Sequence, residues 1–94
     1  MEIQNEETAT KGTFFVAEDG KRVAEMVYSK AGPTRIIIEH TEVSQALKGK
    51  NVGKQLVAAA VDYARKNNLK IIPLCPFTLS VFKRVKEYED VWDK

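Results

Sequence analysis

The alternation of apolar and polar positions predicts strands in the first half of the chain. Residues 12–17 include the run Thr-Phe-Phe-Val, a composition typical of strands. Residues 22–29 alternate, and the positions that share one face are Ala24, Met26 and Tyr28. The Asp-Gly pair between these runs predicts a hairpin turn, and a second turn rich in Gly and Pro leads to a third strand over residues 35–43. The pattern therefore predicts an antiparallel meander.

In the third predicted strand, strict alternation assigns the side chains to two faces. One face carries Ile36, Ile38, His40 and Glu42, and the other carries Ile37, Glu39, Thr41 and Val43. The two polar side chains His40 and Glu42 are thus expected to lie on one face, near the carboxyl end of the strand.

The period changes to that of a helix from Gly53 onward. The apolar stripe of this helix is formed by Leu56, Ala59, Ala60 and Tyr63, widened by Val57, Val61 and Ala64. Two asparagines at positions 67 and 68 end it, and the apolar run at residues 70–74 predicts a short buried strand. A strand, helix, strand order implies parallel pairing through a right-handed crossover. The expected fold is an α/β domain with a mixed sheet.

The two ends of the chain give weaker patterns. A second helix is expected over Thr78–Tyr88, with Val81, Val85 and Tyr88 on one stripe. Trp92 is expected either to close the sheet edge or to pack beneath a helix. Residues 1–11 contain few large apolar side chains and are expected to form a loose tail.

Length and composition restrict the class of protein. Ninety-four residues, 44% of them hydrophobic and 30% charged, predict one globular domain. A net charge of +2 gives no argument for nucleic-acid binding, and no apolar run approaches the roughly 18 residues of a membrane span. The polar, acidic N-terminus is unlike a signal peptide, and one cysteine forms no internal disulfide, so we expect a cytoplasmic protein.

The strongest candidate for a ligand site is the turn that opens the first helix, with the sequence Leu-Lys-Gly-Lys-Asn-Val-Gly-Lys over residues 47–54. Glycines allow positive φ or a close approach of the backbone to a ligand, and Asn51 tolerates the left-handed region. Free N–H groups at a helix N-terminus attract anions, and three lysines reinforce that preference. The spacing matches neither a P-loop nor a dinucleotide fingerprint. The alternative is an ordinary charged loop that caps a helix.

Three side chains are candidates for chemistry. Cys75 follows the predicted parallel strand, and ligand sites favour the carboxyl ends of such strands. Its thiol is either a nucleophile or a small buried hydrophobe. His40 and Glu42 are both plausible general bases, or else a structural histidine and a solvated strand end. One histidine and one cysteine do not assemble a zinc site, so no metal is expected.

The segment Thr41-Glu42-Val43 followed by residues 47–56 resembles the GNAT superfamily of N-acetyltransferases. In that family the helix-opening segment reads Arg or Gln, two residues, Gly, one residue, Gly or Ala. Here Lys48 takes the first place, Asn51 the second and Gly53 the third. Two of these residues differ from the family pattern. Lys48 keeps the positive charge of the arginine, and Asn51 keeps much of the backbone freedom of the glycine. The Cys-Pro-Phe bend at residues 75–77 is similar to that of a small bacterial subgroup of short members.

The resemblance implies an acetyl-CoA site in the groove where the third strand and the parallel strand diverge. It assigns the pantetheine arm to backbone groups of Glu42, Val43 and Ser44, and the pyrophosphate to Lys48, Gly49, Lys50, Asn51, Val52, Gly53 and Lys54. Acetyl transfer to an amine or thiol would then involve Cys75, His40 and Glu42. The alternative function is a non-catalytic sensor or interaction module that binds acyl-CoA.

The resemblance also points to an unusual acceptor site. Full-length family members have two helices between their first two strands, where this chain has only the hairpin at residues 18–21. The acceptor groove is therefore expected to be open, which suits a protein tail or a small polyamine, unless catalysis is vestigial.

Overall fold

Five strands form one mixed sheet whose spatial order follows the order of the chain, β1-β2-β3-β4-β5. The computed structural model describes residues 2–94. Its strands and helices are β1 Gln4–Glu7, β2 Lys11–Glu18, β3 Lys21–Lys30, β4 Arg35–Val43, α1 Val52–Lys66, β5 Lys70–Pro73 and α2 Pro76–Arg84. Short 3-10 turns cover Gln45–Leu47 and Lys86–Val91. The antiparallel meander, the parallel crossover and the two main helices are confirmed.

The core lies between one face of the sheet and helix α1. The predicted inner positions of β3, Ala24, Met26 and Tyr28, are all buried. So is most of the predicted stripe of α1, namely Leu56, Val57, Ala60, Val61 and Ala64. Alternation on the strand and the 3.6-residue period on the helix meet here to remove apolar surface from water. Within residues 2–94, no helix is long and apolar enough to cross a membrane.

Strand β1 contradicts the prediction of a loose N-terminal tail. Gln4–Glu7 pairs antiparallel with β2, although all four of its residues are exposed. Because the strand has no apolar face, the sequence pattern contains no signal for it. Its end is held instead by Glu7, whose Oε2 accepts hydrogen bonds of 2.8 Å from the hydroxyls of Tyr28 and Tyr63. Met1 lies outside the described residues.

A β-bulge in β4 overturns the predicted face assignment of that strand. Val27 lies opposite His40 whereas Tyr28 lies opposite Ile38, so Glu39 is an extra residue on β4. An extra residue shifts all later side chains to the other face. The prediction that His40 and Glu42 share the face of Ile36 and Ile38 is therefore wrong.

After the bulge, the side chains on the core face of β4 belong to Thr41 and Val43, which lie opposite Met26 and Ala24. His40 and Glu42 point to the outer face of the sheet, opposite Val27 and Glu25. The bulge thus determines which polar side chains of this strand can line a site on the core side.

The second helix is shorter than predicted. Helix α2 ends at Arg84, Val85 is extended, and Tyr88 falls in the 3-10 turn that follows.

Trp92 satisfies both of its predicted roles. Its backbone forms a parallel bridge with Ile71 at the edge of β5, and its ring packs edge-on against Phe82 of α2, with centroids 5.8 Å apart.

The contacts of Glu7 predict a pH-dependent contribution to stability. The hydrogen bond from Tyr63, followed by that from Tyr28, holds the pKa of Glu7 below its ordinary value. A carboxyl with a depressed folded-state pKa stabilises the fold above its unfolded pKa of about 4.3, and that stabilisation is lost as the pH falls through the folded value. Glu7→Gln should therefore lower the thermal midpoint at pH 7 more than at pH 3.

The measurement is thermal unfolding followed by circular dichroism at several pH values. Glu18→Gln, at the exposed end of β2, is the matched control. A Glu7→Gln midpoint that differs from wild type by the same amount at pH 7 and pH 3 would contradict the prediction.

Candidate functional site

A cleft opens where β4 and β5 part. Parallel pairing ends at Ile38 opposite Pro73, and the Cys75 N–H then donates to the Ile38 carbonyl over 2.9 Å. Proline has no N–H for a further ladder bond, and the bulge at Glu39 bends β4 at the same level. Both causes leave the last residues of β4 without a neighbour on that side. The gap is a cavity of about 490 Å³.

The lining of the cleft comes from the end of β4, the following turn, the start of α1 and one residue of α2. The residues are Thr41, Val43, Ser44, Gln45, Leu47, Lys48, Gly49, Asn51, Val52, Gly53, Lys54 and Phe77. All the predicted cofactor residues except Lys50 are among them. The structure thus brings these positions together around one cavity, as a shared site requires.

The turn before α1 has the backbone geometry that its sequence predicts. Gly49 has φ +86° and Asn51 has φ 58°, both in the left-handed region. Asn51 is the N-cap residue of α1, but its side chain makes no capping hydrogen bond. The first backbone bond of the helix runs from the Gln55 N–H to the Asn51 carbonyl. The N–H groups of residues 52–54 therefore have no acceptor within the helix.

The electrostatics of this helix start favour an anion. The first turn of α1, which lies wholly within the described part of the chain, contains no acidic side chain. Lys48, Lys50 and Lys54 are exposed, and across residues 2–94 none of them forms an ion pair. The free N–H groups, the helix dipole and the lysine charges all favour a bound anion at this helix start.

Gly53 packs closely against Phe77, and its φ lies outside the left-handed region. A Cβ atom at this position would lie 2.8 Å from Cζ and 2.9 Å from Cε2 of Phe77. The Phe77 ring, 37% exposed, therefore rests directly on the first turn of α1 at the mouth of the cleft. The sequence suggested Gly53 for close approach of a ligand, and the structure adds an aromatic ring at the same place.

Cys75 is the N-cap residue of α2, and it is buried. Its Sγ lies 3.5 Å from Oγ1 of Thr41, which also lines the cleft. Burial raises the pKa of the thiol, but the neighbouring N–H groups of Thr78 and Phe77 and the hydroxyls of Thr41 and Thr78 favour the thiolate more strongly, and the pKa falls below its ordinary value. At a given pH, a larger fraction of Cys75 is therefore thiolate than for an ordinary cysteine.

His40 and Glu42 form a separate pair on the outer face of the sheet. Nε2 of His40 lies 2.9 Å from Oε1 of Glu42, and both side chains are more than half exposed. This hydrogen bond raises the pKa of His40. No hydrogen bond joins either side chain to Cys75 within residues 2–94. The structure therefore brings two of the three candidate residues into direct contact, and places the third beside Thr41.

A family model described as GCN5-related N-acetyl-transferase matches residues 13–91. The chain belongs to the GCN5-related N-acetyltransferase family. The match includes the meander, the cleft, Cys75 and both helices, so it covers nearly all the elements that form the site.

Individual relatives agree with this assignment. The chain is 33% identical over 64 residues to Protein NATD1 of Xenopus tropicalis, which is 68% of this chain and 56% of that protein, and equally to Protein NATD1 of Danio rerio. It thus spans little more than half the length of these curated relatives. An NMR structure of a GCN5-like protein from Staphylococcus aureus superimposes with a TM-score of 0.72 at 37% identity, covering 98% of this chain and 87% of that chain.

More distant members of the family share the fold alone. An aminoglycoside N-acetyltransferase, solved in complex with CoA, aligns with a TM-score of 0.57 at 16% identity over 82% of this chain and 67% of that chain.

In the part of this chain that the structure describes, no group of three or more His, Cys, Asp or Glu side chains could hold a metal ion.

Some residues of the site were not singled out by the sequence. Thr41 and Phe77 line the cleft, and Thr78 is fully buried in the first turn of α2, three residues after Cys75. Strict alternation had already placed Thr41 on the face opposite His40, but it gave no reason to expect contact with Cys75. Only the bulge and the packing of α2 against β4 bring these side chains together.

Proposed function

We propose that the chain binds acetyl-CoA in the cleft between β4 and β5 and transfers its acetyl group to an amine, a thiol being the other acceptor. The observation that carries the proposal is the uncapped start of α1, which faces the cleft with free N–H groups and no acidic side chain. The free N–H groups at the start of α1 can donate hydrogen bonds to a pyrophosphate, which is a dianion. Its negative charge would also be attracted by Lys48, Lys50 and Lys54.

The pantetheine arm would lie along the open edge of β4. The Ser44 N–H already donates to the Val23 carbonyl over 2.7 Å. Because backbone groups alternate along a strand, the N–H and C=O of Val43 then face the open edge. Val43 would therefore supply the backbone hydrogen bonds to the arm, and Ser44 would contribute by lining the cleft.

Cys75 is buried beside Thr41, which lines the cleft, at the point where β4 and β5 separate, and we place the thioester there. The proposed route begins with attack of its thiolate on the thioester carbonyl, which releases the thiolate of CoA and forms acetyl-cysteine. An amine then attacks the acetyl-cysteine and expels the Cys75 thiolate, and His40 or Glu42, on the outer face of β4, takes the proton that the amine loses. In the simpler route the amine attacks acetyl-CoA directly and Cys75 only packs against the arm.

The hairpin at residues 18–21 joins the second and third strands, so the sequence placed the missing helices at the wrong connection; the first two strands, β1 and β2, are joined by residues 8–10 alone, with no helix between them. This supports the proposal of an acceptor that approaches an open groove, such as a protein tail or a polyamine. The cytoplasmic location and the narrower likeness to a small bacterial subgroup remain predictions from the sequence.

Titration with CoA, followed by backbone amide NMR, tests the binding site. Shifts should concentrate at residues 49–54 and at Val43 and Ser44, because those amides line the proposed site. The hairpin of residues 14–27 is the internal control. Shifts confined to that hairpin would refute the site.

The same sample distinguishes enzyme from sensor. Incubation with acetyl-CoA and a panel of amines, with release of free CoA as the readout, should show turnover. Binding in the cleft with no turnover for any amine would instead identify a non-catalytic acyl-CoA sensor.

A further inference from the structure

Three large apolar side chains are exposed among residues 2–94, and all three belong to the segments where β4 and β5 part. Val43, at the end of β4, is 39% exposed, and Phe77, in the first turn of α2, is 37% exposed. Leu74, directly after β5, is 66% exposed. Because exposed apolar surface is unfavourable in water, its concentration at one place indicates a binding surface.

Two of these side chains, Val43 and Phe77, line the cleft. Val43 comes from β4, and Phe77 is the one residue of α2 in the lining formed by the described chain. The strand on one side of the cleft and the helix on the other thus each contribute one exposed apolar side chain to it.

The side chain of Phe77 reaches from the start of α2 to the start of α1. Phe77 follows the N-cap residue Cys75 by two positions. The far end of its ring packs on the first turn of α1, where a Cβ atom at Gly53 would lie 2.8 Å from Cζ. The ring therefore lies between the helix start with free N–H groups and the N-cap thiol. Its place there depends on the absence of a side chain at Gly53.

Acetyl-CoA changes in chemistry along its length. Its pyrophosphate is anionic and suits the start of α1, whereas its thioester is placed beside Cys75. The pantetheine arm between them is a chain of amides, methylenes and two methyl groups, so much of its surface is apolar. An arm that runs from the start of α1 to Cys75 passes Phe77, because the side chain of Phe77 spans the same two points.

We propose that Phe77 is a specificity-determining residue for the donor, whose ring packs on the pantetheine arm and is covered by it. An anion that fits only the start of α1 gains nothing from this contact. A thioester carried on the arm gains the burial of an aromatic surface. The cleft thus selects pantetheine thioesters over other phosphate compounds. This inference rests on the proposed acetyl-CoA site.

The test compares two ligands that share a phosphorylated adenosine and differ in the arm. CoA contains the arm, and adenosine 3′,5′-bisphosphate lacks it. Phe77→Ala should weaken CoA binding by about tenfold and change bisphosphate binding by less than about twofold, because only CoA loses the aromatic contact. Phe77→Leu, which keeps an apolar side chain, should weaken CoA binding less. Isothermal titration of each folded variant measures both affinities.

Leu74→Ala is the matched control, because it removes an exposed apolar side chain that lies outside the lining of the cleft. It should bind both ligands like wild type. Wild-type affinity for CoA in folded Phe77→Ala would overturn the inference. An equal loss of affinity for both ligands would also overturn it, since that result would mean that the ring only supports the start of α1.

A second measurement uses the wild-type protein, in case the variants do not fold. At saturation, CoA should shift the aromatic proton NMR signals of Phe77 more than the bisphosphate does, and the ring signals of Phe15 on β2 should not move. If CoA shifts the amides of residues 49–54 but both ligands shift Phe77 equally, this inference fails and the proposed site stands. If neither ligand binds, both fail.

Discussion

Gly53→Val should weaken CoA binding by about 5- to 150-fold while the fold is retained. The Cβ atom alone would lie 2.8 Å from the ring of Phe77, and valine adds two methyl groups to it. Overpacking of this kind costs about 1–3 kcal/mol, and a factor of ten in Kd corresponds to about 1.4 kcal/mol. Phe77 is partly exposed, so its ring can move into the cleft, and the cost then falls on the bound state.

The measurement is isothermal titration of CoA into each folded variant. Asp62→Val introduces the same side chain at an exposed position of α1 and should bind like wild type. The double variant Gly53→Val/Phe77→Ala should recover part of the affinity if the displaced ring obstructs the cleft. Wild-type affinity in folded Gly53→Val would show that CoA binds elsewhere.

Cys75→Ala should abolish the acetyl adduct and lower transfer on the order of 10²-fold or more, the size of effect expected when one positioned catalytic group is lost. The thiol is buried at the start of α2, and the N–H of Thr78 and the hydroxyl of Thr41 stabilise its ionised form. Alanine removes the nucleophile and leaves in place Thr41 and Phe77, the neighbours of Cys75 that line the cleft.

Mass spectrometry of the intact protein after incubation with acetyl-CoA provides the readout. Wild type should gain a single acetyl group that hydroxylamine removes, as expected for a thioester. Cys75→Ser retains the volume with a much weaker nucleophile and should behave like alanine. If Cys75→Ala transfers acetyl at the wild-type rate, the acceptor attacks acetyl-CoA directly and Cys75 has a packing role.

The prediction that a pyrophosphate binds at the start of α1 depends on local features, which explains why the sequence was informative there. A left-handed Gly49 and Asn51 follow from the preferences of these two residues, and both have positive φ. The alternation of β3 and the stripe of α1 are equally local, because side chains two or four residues apart on one element must share a face. The sequence alone therefore determined the meander, the crossover helix and the position of the candidate anion site.

The tertiary structure decided the features that depend on partners far away in the chain. Strand β1 has no apolar pattern of its own, and Glu7 binds tyrosines that lie 21 and 56 residues further along. The contact between Gly53 and Phe77 joins two different helices. Neither contact follows from periodicity, because periodicity relates neighbours on one element and carries no information about which elements pack together.

The bulge at Glu39 had the largest consequence for the site. The sequence of β4 alternates well enough to predict a regular strand, and the register with β3 alone reveals the extra residue. That one residue turns His40 and Glu42 to the outer face and Thr41 to the core face, beside Cys75. The sequence thus supplied candidate residues for chemistry, whereas the pairing of strands decided which of them meet, since a shift of one residue reverses every later side chain.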